Sequence, residues 1–523
     1  MFDLLLTGGR VIDGTGLPWF RADVGIRGDR IAAVGRLDRA EARQRIDAGG
    51  QVVCPGFLDA HVHGDLALLA DPYHEPGIRQ GVTTYLLGQD GVALAPASPA
   101  TLDCMQRYTA GFSGGAEWGD LVRPAGGGFL SVADFLARFD RRCALNVATL
   151  IPNGNVRMEA LGLATRAPTA DELQHMRRLV RAGMEQGAVG LSSGLDYIPS
   201  RYADTAELTA LCEEIAPFGG VYVTHMRRYD PDGLSDSLDE VFRIGRDAGV
   251  AVHISHFNVR ADLGLPKLDA ARAAGVDATF DLYCYLAGST ILGMVALPPE
   301  VQEGGVAATV ERLRDPATRA RLHAVSPRGP LEQVRLAYVA APEYRRYEGQ
   351  TLGQAACAAG RGLIDFICDL LIACNMTVGC IAPHQRRGEE DVRALMRHPA
   401  MMAGSDGIYV GGRPHPRGWG CFARYLGHYV REAKTWSLEE AVAKLSAHAA
   451  RRFGLTDRGL LRPGMAADVV VFDPARIQDH ATFDDGRQLA SGVTHVLVNG
   501  ELVLHAGRRT PALPGRALRR GGS

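Results

Sequence analysis

Lysine is almost absent from this sequence of 523 residues, which contains only Lys267, Lys434 and Lys444 among its 57 basic residues. The sequence also lacks an excess of either charge, because 59 acidic residues leave a formal net charge of −2. A chain without a basic field has no long-range attraction to nucleic acid or to an anionic membrane. We therefore expect neither as a partner and expect a local site for a small molecule.

Disulfide, membrane-spanning and signal-peptide patterns are also missing. The ten cysteines include no Cys-x-x-Cys pair, which argues against a disulfide framework and favours a reducing compartment. No uninterrupted apolar run approaches the roughly 18 residues of a membrane span. The N-terminus has Asp3 and no basic segment before the apolar Leu4–Leu6, unlike a signal peptide. The sequence thus predicts a cytoplasmic protein and leaves its oligomeric state open.

Both ends of the chain show short apolar runs separated by turn residues. The first fifty residues read as a meander of such runs, and Val493–Val498 is followed by Asn499-Gly500, a strong hairpin signal. Neither end is long enough to bury a sheet face alone. We therefore predict that residues 1–54 and 457–515 together form one composite β-sandwich.

The middle of the chain alternates apolar strands with helical segments. Each predicted helix, such as Asp171–Gln186 and Ser237–Ala248, places apolar residues on one face. The alternation predicts an α/β fold, a (β/α)8 TIM barrel, over residues 55–286 and 346–456, with a small inserted subdomain at 287–345. The eight predicted strands are Val52–Ala60, Val82–Leu87, Leu145–Ile151, Ala188–Leu191, Val221–His225, Val250–His256, Ala278–Tyr283 and Met401–Ser405.

Polar residues stand at the ends of four of these strands. His61 and His63 follow the first strand two residues apart, so both imidazoles should lie on one face, as a shared metal ion requires. His225 ends the fifth strand, His256 the sixth, and Asp406 follows the eighth. Each residue alone is explained by an ordinary hydrogen bond or turn. Because strand ends meet at one face of a barrel, their joint placement predicts a metal site.

This pattern resembles the amidohydrolase superfamily, with His-x-His on strand one, one histidine each on strands five and six, and an aspartate on strand eight. The resemblance is closer to the N-acyl-D-amino-acid deacylases (D-aminoacylases). It covers the chain from Gly8 to about Arg516 and implies a metal-dependent hydrolase of linear, non-peptide C–N bonds, with Asp406 as general base and then acid. The matching segments are VVCPGFLDAHVHGD, VTHMRR, GLSSGLDYIPSRYAD, FDLYCYLAGST, GSDG, HPRGWGCFARYLGHYVRE and RFGLTDRGLLRPGMAADVVVFDP.

One departure from the family lies in the turn after strand two. The family has a cysteine metal ligand there, whereas this sequence has Asp90. The end of strand four, from Gly190 to Gly194, offers neither lysine nor glutamate as a bridging ligand. Asp90 is therefore a candidate ligand, with a turn residue in an Asp-Gly pair as the alternative. A carboxylate is harder than a thiolate, so a ligating Asp90 would leave the metal more Lewis acidic and less selective for zinc.

The expected cofactor is zinc, because several neutral imidazoles favour it, with Mn²⁺ or Co²⁺ able to substitute. A bridging Asp90 would allow two ions about 3.5–4 Å apart, so one ion and two ions both stay open. The candidate ligands are His61, His63, Asp90, His225, His256 and Asp406.

A second departure concerns the substrate. By resemblance, Arg417, Tyr283 and Ser289 hold the carboxylate of an N-acyl-D-amino acid, and the fork of an arginine suits that group. Arg417 could instead simply pin its loop. A lysine two residues after the strand-six histidine normally shares the carboxylate, and here that position is Asn258. The loss of this cation weakens the D-amino-acid interpretation without removing it.

Two other functions stay open at this point. A site without the carboxylate pocket would suit a cyclic amide or imide, or the amide of a specialised metabolite. A non-enzymatic scaffold that keeps the fold is the other alternative. The complete set of candidate ligands argues against a scaffold, since convergent imidazoles and carboxylates are costly to bury without use.

Overall fold

The computed structural model describes residues 1–114, 121–124, 126–324, 329–384 and 386–521. The strands are β1 (Phe2–Val11), β2 (Phe20–Arg27), β3 (Arg30–Gly35), β4 (Ala42–Asp47), β5 (Val52–Pro55), β6 (Phe57–Asp59), β7 (Val82–Leu87), β8 (Asn146–Thr149), β9 (Ile151–Pro152), β10 (Gly190–Gly194), β11 (Val221–His225), β12 (Ala251–Ile254), β13 (Ala278–Leu282), β14 (Ala287–Ile291), β15 (Arg335–Val339), β16 (Val378–Pro383), β17 (Met401–Ala403), β18 (Val469–Phe472), β19 (Val493–Val498), β20 (Glu501–His505) and β21 (Arg508–Arg509).

The α-helices are α1 (Asp65–Ala70), α2 (Glu75–Ile78), α3 (Pro99–Ser113), α4 (Val132–Leu136), α5 (Asn153–Leu161), α6 (Ala170–Glu185), α7 (Thr205–Ile215), α8 (Leu234–Ala248), α9 (Ala261–Ala273), α10 (Leu292–Ala296), α11 (Gly305–Arg314), α12 (Pro316–Ala324), α13 (Leu352–Ala358), α14 (Leu363–Ala373), α15 (Glu389–Arg397), α16 (Arg417–Arg424), α17 (Leu438–Leu445) and α18 (Ala447–Arg452). A π-helical segment, Tyr425–Glu432, follows α16. No helix of the described residues is both long enough and apolar enough to cross a membrane.

Strands from both ends of the chain share one nine-stranded sheet, in the order β21-β20-β19-β18-β5-β1-β2-β3 with β4 beside β1. The junction is the antiparallel pair of β5 and β18, in which Val53 lies opposite Val471. The Asn499-Gly500 hairpin also forms, with φ of 48° and 82° at the two turn residues, as a two-residue turn requires. Strands from both ends thus pair in one sheet, as the composite β-sandwich predicted from the sequence requires, and the predicted bounds of that domain stay a prediction.

Eight parallel strands close a barrel in the described part of the chain. β6, β7 and β8 form one parallel sheet, and β10, β11, β12, β13 and β17 form another that β9 extends. Backbone hydrogen bonds join the two sheets at both seams: Val189 N donates to Thr149 O (2.9 Å), and Ala60 N donates to Ala403 O (3.1 Å). The (β/α)8 barrel predicted from the sequence is confirmed.

The barrel helices follow the expected periodicity. In α8, Leu238, Val241 and Ile244 are buried against the barrel. α6 begins with a capping box, in which Thr169 Oγ1 accepts from Glu172 N (3.3 Å) and the Glu172 carboxylate accepts from Thr169 N (2.7 Å). This capping box gives partners to two backbone N–H groups that would otherwise be unpaired at the start of the helix.

The predicted first barrel strand, Val52–Ala60, is wrong as a single element, because the chain leaves the terminal sheet at Pro55-Gly56 and starts the barrel with β6. Pro55 has no N–H to continue a ladder. At Gly56 any Cβ would lie 2.2 Å from Thr83 Oγ1, so only glycine allows β6 to approach β7 here. The break lets one short segment belong to two sheets.

The inserted segment is larger than the sequence indicated. Its sheet has the order β14-β16-β15, and the central strand β16 ends at Pro383, beyond the expected limit of residue 345. α13 and α14 pack into the same core, through buried side chains such as Leu352 and Phe366. Residues 346–383 also contain helices and a strand, so in the sequence alone they cannot be told from further barrel units. This segment delivers β14 and the end of β16 to the mouth of the barrel.

Candidate metal centre and substrate cavity

The polar strand-end residues converge at the carboxyl end of the barrel. His63 Nε2 lies 3.2 Å from Asp406 Oδ1 and 3.5 Å from Asp90 Oδ2. His256 Nε2 and His225 Nδ1 each lie 3.7 Å from Asp90 Oδ2. Asp90 is therefore at the centre of the cluster, although the turn that carries it is distant in sequence from β11 and β12.

Two overlapping sets of these side chains could each hold a metal ion, His61 with His63 and Asp406, and His61 with Asp90 and His256. His61 Nε2 and Asp90 Oδ1 lie 3.5 Å apart, and both atoms are buried without a hydrogen-bond partner among the described residues. Buried polar atoms normally have partners, so this pair fits an ion between them. Imidazole nitrogens with carboxylate oxygens are a donor set that suits zinc. His225 lies outside both sets and contacts His256 instead, Nδ1 to Nε2 at 3.0 Å.

Asp281, on β13, orients the cluster from below. Its Oδ2 lies 3.4 Å from His61 Nδ1 and 3.0 Å from His253 Nε2, and its Oδ1 accepts from His256 N (2.8 Å). A carboxylate on the far nitrogen of a metal-binding histidine fixes its tautomer and ring orientation. The two ring nitrogens of His253 form hydrogen bonds with Thr279 and Asp281, so this side chain takes no direct part in the cluster. The sequence analysis did not single out Asp281, although a charged residue inside the apolar strand Ala278–Tyr283 was a usable signal.

Three of the cluster residues have a left-handed backbone. φ is 55° at Asp90, 33° at His256 and 52° at Asp406. Non-glycine residues adopt this region at a cost of about 1–3 kcal/mol, and such strain concentrates at functional sites. The tight turns bring these side chains into the barrel mouth directly at the strand ends.

Burial and neighbouring charges have opposite effects on the pKa values of this cluster. Burial would lower the pKa of His61, but the carboxylates of Asp281 and Asp90 raise it well above its usual value. Burial would raise the pKa of Asp90, but His61, His225 and His256 hold it well below its usual value. Asp90 is therefore a carboxylate at neutral pH, as a metal ligand must be.

Asp406 is held by a buried arginine as well as by histidines. Arg417 Nη1 lies 2.7 Å from Asp406 Oδ2, and the guanidinium is fully buried. Burial would raise the pKa of Asp406, but Arg417 and then His63 hold it well below its usual value. Asp406 is therefore a charged carboxylate at neutral pH.

The same arginine reaches the other candidate substrate residues. Arg417 Nη2 donates to the backbone oxygen of Ser289 (3.0 Å), and its Cζ lies 4.6 Å from the centre of the Tyr283 ring. Tyr283 Oη is also 2.9 Å from His384 Nε2, at the end of β16. The structure thus brings Tyr283, Ser289 and Arg417 together. Ser289 contributes its backbone oxygen here, whereas the sequence analysis singled out the residue without specifying an atom.

An open cavity of about 810 Å³ covers these groups. One wall carries Asp90, His225, His256 and Asp406, and another carries Arg417, Tyr283 and Ser289. Met294, Val295, Pro330 and Ala382 add apolar lining. A small molecule in this cavity can contact the metal cluster and the arginine at once.

Comparison with known proteins agrees with this architecture. Residues 44–504 match the model of the amidohydrolase family. The chain belongs to the amidohydrolase family. This amidohydrolase is 37% identical to an N-acyl-D-glutamate deacylase of Alcaligenes xylosoxydans xylosoxydans over all of this chain and 97% of that one. It is 36% identical to a D-aminoacylase of the same organism over 99% of this chain and 98% of that one.

A solved relative also superposes over the full length. The N-acyl-D-glutamate deacylase of Bordetella bronchiseptica, determined with zinc and a phosphonate mimic of the tetrahedral intermediate, aligns with a TM-score of 0.83 and 35% identity over 99% of each chain. This amidohydrolase therefore shares the fold of a deacylase that was determined with zinc. The family resemblance predicted from the sequence is confirmed.

Proposed function

We propose that this protein is a metal-dependent deacylase of N-acyl-D-amino acids. One observation carries the proposal: Arg417 bridges the two walls of the cavity, pairing with Asp406 at 2.7 Å and bonding the Ser289 backbone at 3.0 Å. A carboxylate anchored beside Arg417 would have its neighbouring amide next to the metal cluster. The D configuration is supported by the names of the full-length relatives, N-acyl-D-glutamate deacylase and D-aminoacylase.

The metal would be held by His61, His63, Asp90, His225, His256 and Asp406, and zinc in a relative supports the choice of ion. A divalent ion bound there supplies Lewis acidity, which polarises the amide carbonyl and lowers the pKa of water. The orphaned His61 Nε2 and Asp90 Oδ1 support ion binding independently of the relatives.

The residues of the chain supply the proton transfers and the orientation. Asp406 takes a proton from the attacking water and delivers it to the leaving nitrogen: its low pKa keeps it ionised, and it lies beside both His63 and Arg417. Arg417 and Tyr283 orient the substrate carboxylate, and the remaining donors of the Arg417 fork provide directional hydrogen bonds. Asp281 keeps His61 in one orientation throughout.

The proposed partner is a small molecule only, and the proposed location is the cytoplasm. All ten cysteines are free, which supports a reducing compartment. The formal net charge of −2 supports the absence of a nucleic-acid partner.

The enantiomers of one N-acyl amino acid test the proposal. We expect the zinc-loaded protein to hydrolyse N-acetyl-D-amino acids at least about a hundredfold faster in kcat/KM than the L forms, since misplacement of the amide by about 1 Å costs that much. The same panel includes a cyclic imide. Turnover of the imide with none of the N-acyl-D-amino acids would contradict the proposal and favour the cyclic-amide alternative.

A further inference from the structure

Five arginines lie in or directly behind the wall of the cavity, and four of them have a carboxylate partner. Arg417 pairs with Asp406, Arg227 with Glu240, Arg228 with Asp230 and Arg386 with Asp232. Arg387 has no ion pair in the described part of the chain. It is nevertheless 8% exposed, and its Nε is buried with no hydrogen-bond partner.

A buried cation without a counter-ion is costly. Desolvation of an ammonium or guanidinium costs several kcal/mol unless an anion or good hydrogen bonds offset it. Burial also lowers the pKa of the Arg387 guanidinium, which reflects the same cost. The nearby Asp391 acts on Arg387 only from a distance, since its two oxygens accept from Ala261 N (2.8 Å) and Gly388 N (2.9 Å) at the start of α15 and it makes no ion pair with Arg387. The position therefore suits an anion that arrives with a ligand.

Asn258 connects this cation to the cavity. Arg387 Nη1 donates to Asn258 Oδ1, and Arg387 Nη2 donates to Tyr285 O (3.3 Å). With its oxygen committed, the Asn258 amide must present Nδ2 elsewhere. That nitrogen is buried without a partner among the described residues, and Asn258 lines the cavity together with His256 and Arg417. The wall of the cavity thus contains a polarised N–H donor with no acceptor among the described residues.

We propose that Asn258 and Arg387 form a second contact for a carboxylate of the substrate, in addition to Arg417. Asn258 Nδ2 donates to the carboxylate, and Arg387 is a positioning residue that fixes the amide and supplies the positive charge behind it. This inference rests on the proposed deacylase function and extends it. The sequence analysis took Asn258 as the loss of a cation, whereas the structure supplies one from a segment 129 residues away.

A double-mutant cycle on the zinc-loaded protein tests this relay, in which Arg387 acts on the substrate through Asn258. Arg387→Ala should lower kcat/KM about tenfold to a hundredfold for a free acid, mainly through KM, and less than about threefold for its methyl ester, because only the acid loses a charge-assisted bond. Asn258→Lys should also be harmful, since it places an ammonium against Arg387. The two changes together should recover kcat/KM to within about threefold of the wild type, because the new ammonium then replaces the lost guanidinium. If the double variant instead shows the product of the two single losses in kcat/KM, the relay is wrong.

Two acids identify which carboxylate is bound. N-acetyl-D-leucine has only the α-carboxylate, whereas N-acetyl-D-glutamate has a second one on its side chain. A loss for both acids in Arg387→Ala assigns the contact to the α-carboxylate, and a loss for the glutamate derivative alone assigns it to the side chain. A loss for neither acid overturns the proposal. If the wild type hydrolyses no N-acyl-D-amino acid, the proposed function is wrong. If it hydrolyses one but the losses of the two single variants multiply in the double variant, only the proposed contact through Asn258 and Arg387 is wrong.

The melting temperature of Arg387 variants distinguishes a role in substrate binding from a purely structural role. Replacing an unpaired buried charge by an apolar side chain of similar length is often neutral or stabilising. Arg387→Met should therefore keep or raise the melting temperature while losing the preference for acid over ester. Arg393→Ala is the matched control, because Arg393 lies on α15 outside the cavity and pairs with Glu389 at 3.2 Å. A lower melting temperature with an unchanged acid preference would overturn the proposal.

Discussion

The two walls of the cavity differ in how their charges are balanced. The metal wall carries Asp90, His225, His256 and Asp406; the anion wall carries Tyr283, Ser289, Arg417 and Asn258, with Arg387 behind Asn258. On the metal wall, each aspartate of the cluster lies within 3.7 Å of at least two histidines, and Asp281 supports the set from below. On the anion wall, Arg417 pairs with a carboxylate of the opposite wall, and Arg387 has none among the described residues. The metal wall is thus preorganised within the protein, whereas the anion wall keeps positive charge for a ligand.

The largest effect should follow from removing the proton acceptor on the metal wall. Asp406→Asn should lower kcat roughly 10²–10⁴-fold, the usual contribution of a general base, while the metal content stays close to that of the wild type because most ligands are unchanged. Steady-state kinetics with metal analysis by mass spectrometry measures both. A variant that keeps nearly the wild-type kcat would show that another group takes the proton.

Asp90 tests whether the metal wall needs its central carboxylate. Asp90→Ala should lose metal and activity together, by at least about a hundredfold in kcat/KM, since an anionic ligand offsets the charge of the ion. Asp90→Cys should rebuild a softer site that prefers zinc over Mn²⁺. Asp230→Asn is the control, because Asp230 lines the cavity but pairs with Arg228. Unchanged metal stoichiometry and affinity in Asp90→Ala would make Asp90 a turn residue.

Arg417 links the walls, so its removal should affect both. Arg417→Ala should lower kcat/KM for a free acid roughly tenfold to 150-fold, and Arg417→Lys nearly as much, because a point charge cannot make two parallel bonds. Because Arg417 lowers the pKa of Asp406, the acidic limb of the pH profile should also move to higher pH in Arg417→Ala. Equal kcat/KM for the free acid and its methyl ester in the wild type would contradict the anchoring role.

A separate prediction, on stability and not on catalysis, concerns the support of the metal wall. Asp59 accepts from Ser405 N (2.8 Å), next to Asp406, and burial raises the pKa of Asp59 to about 7. The pKa of Asp59 in the folded protein thus exceeds its value near 4 in the unfolded chain. The contribution of Asp59 to stability is therefore complete below about pH 4 and is lost as the pH rises through about 7. The unfolding free energy of the metal-free protein should therefore fall by at most about 4 kcal/mol relative to Asp59→Asn across that window. Parallel pH curves for the two proteins would contradict this.

The two walls also differ in how far the sequence predicts them. His61, His63, His225 and His256 follow the strand rhythm, so their meeting could be predicted from the barrel alone. Asp281 was predictable in principle as the charged residue of an apolar strand, but only the fold shows that it faces His61.

The anion wall was less accessible, because its residues come from loops and from the inserted segment. Arg387 follows β16 and meets Asn258 across 129 residues of sequence, and no periodicity connects them. An arginine in a loop also resembles any of the other surface arginines of an arginine-rich chain. Its burial and its lack of a carboxylate partner, which single it out, are properties of packing alone.

Metal titration of the chelator-treated protein tests the central claim most directly. Hydrolysis of an N-acetyl-D-amino acid is measured while zinc is added back and the bound zinc is counted. The account predicts no hydrolysis without metal and a rate that rises in proportion to bound zinc until the His61, Asp90 and Asp406 cluster is filled. Full hydrolysis by the metal-free protein, or zinc bound to this cluster without any hydrolysis, would contradict it.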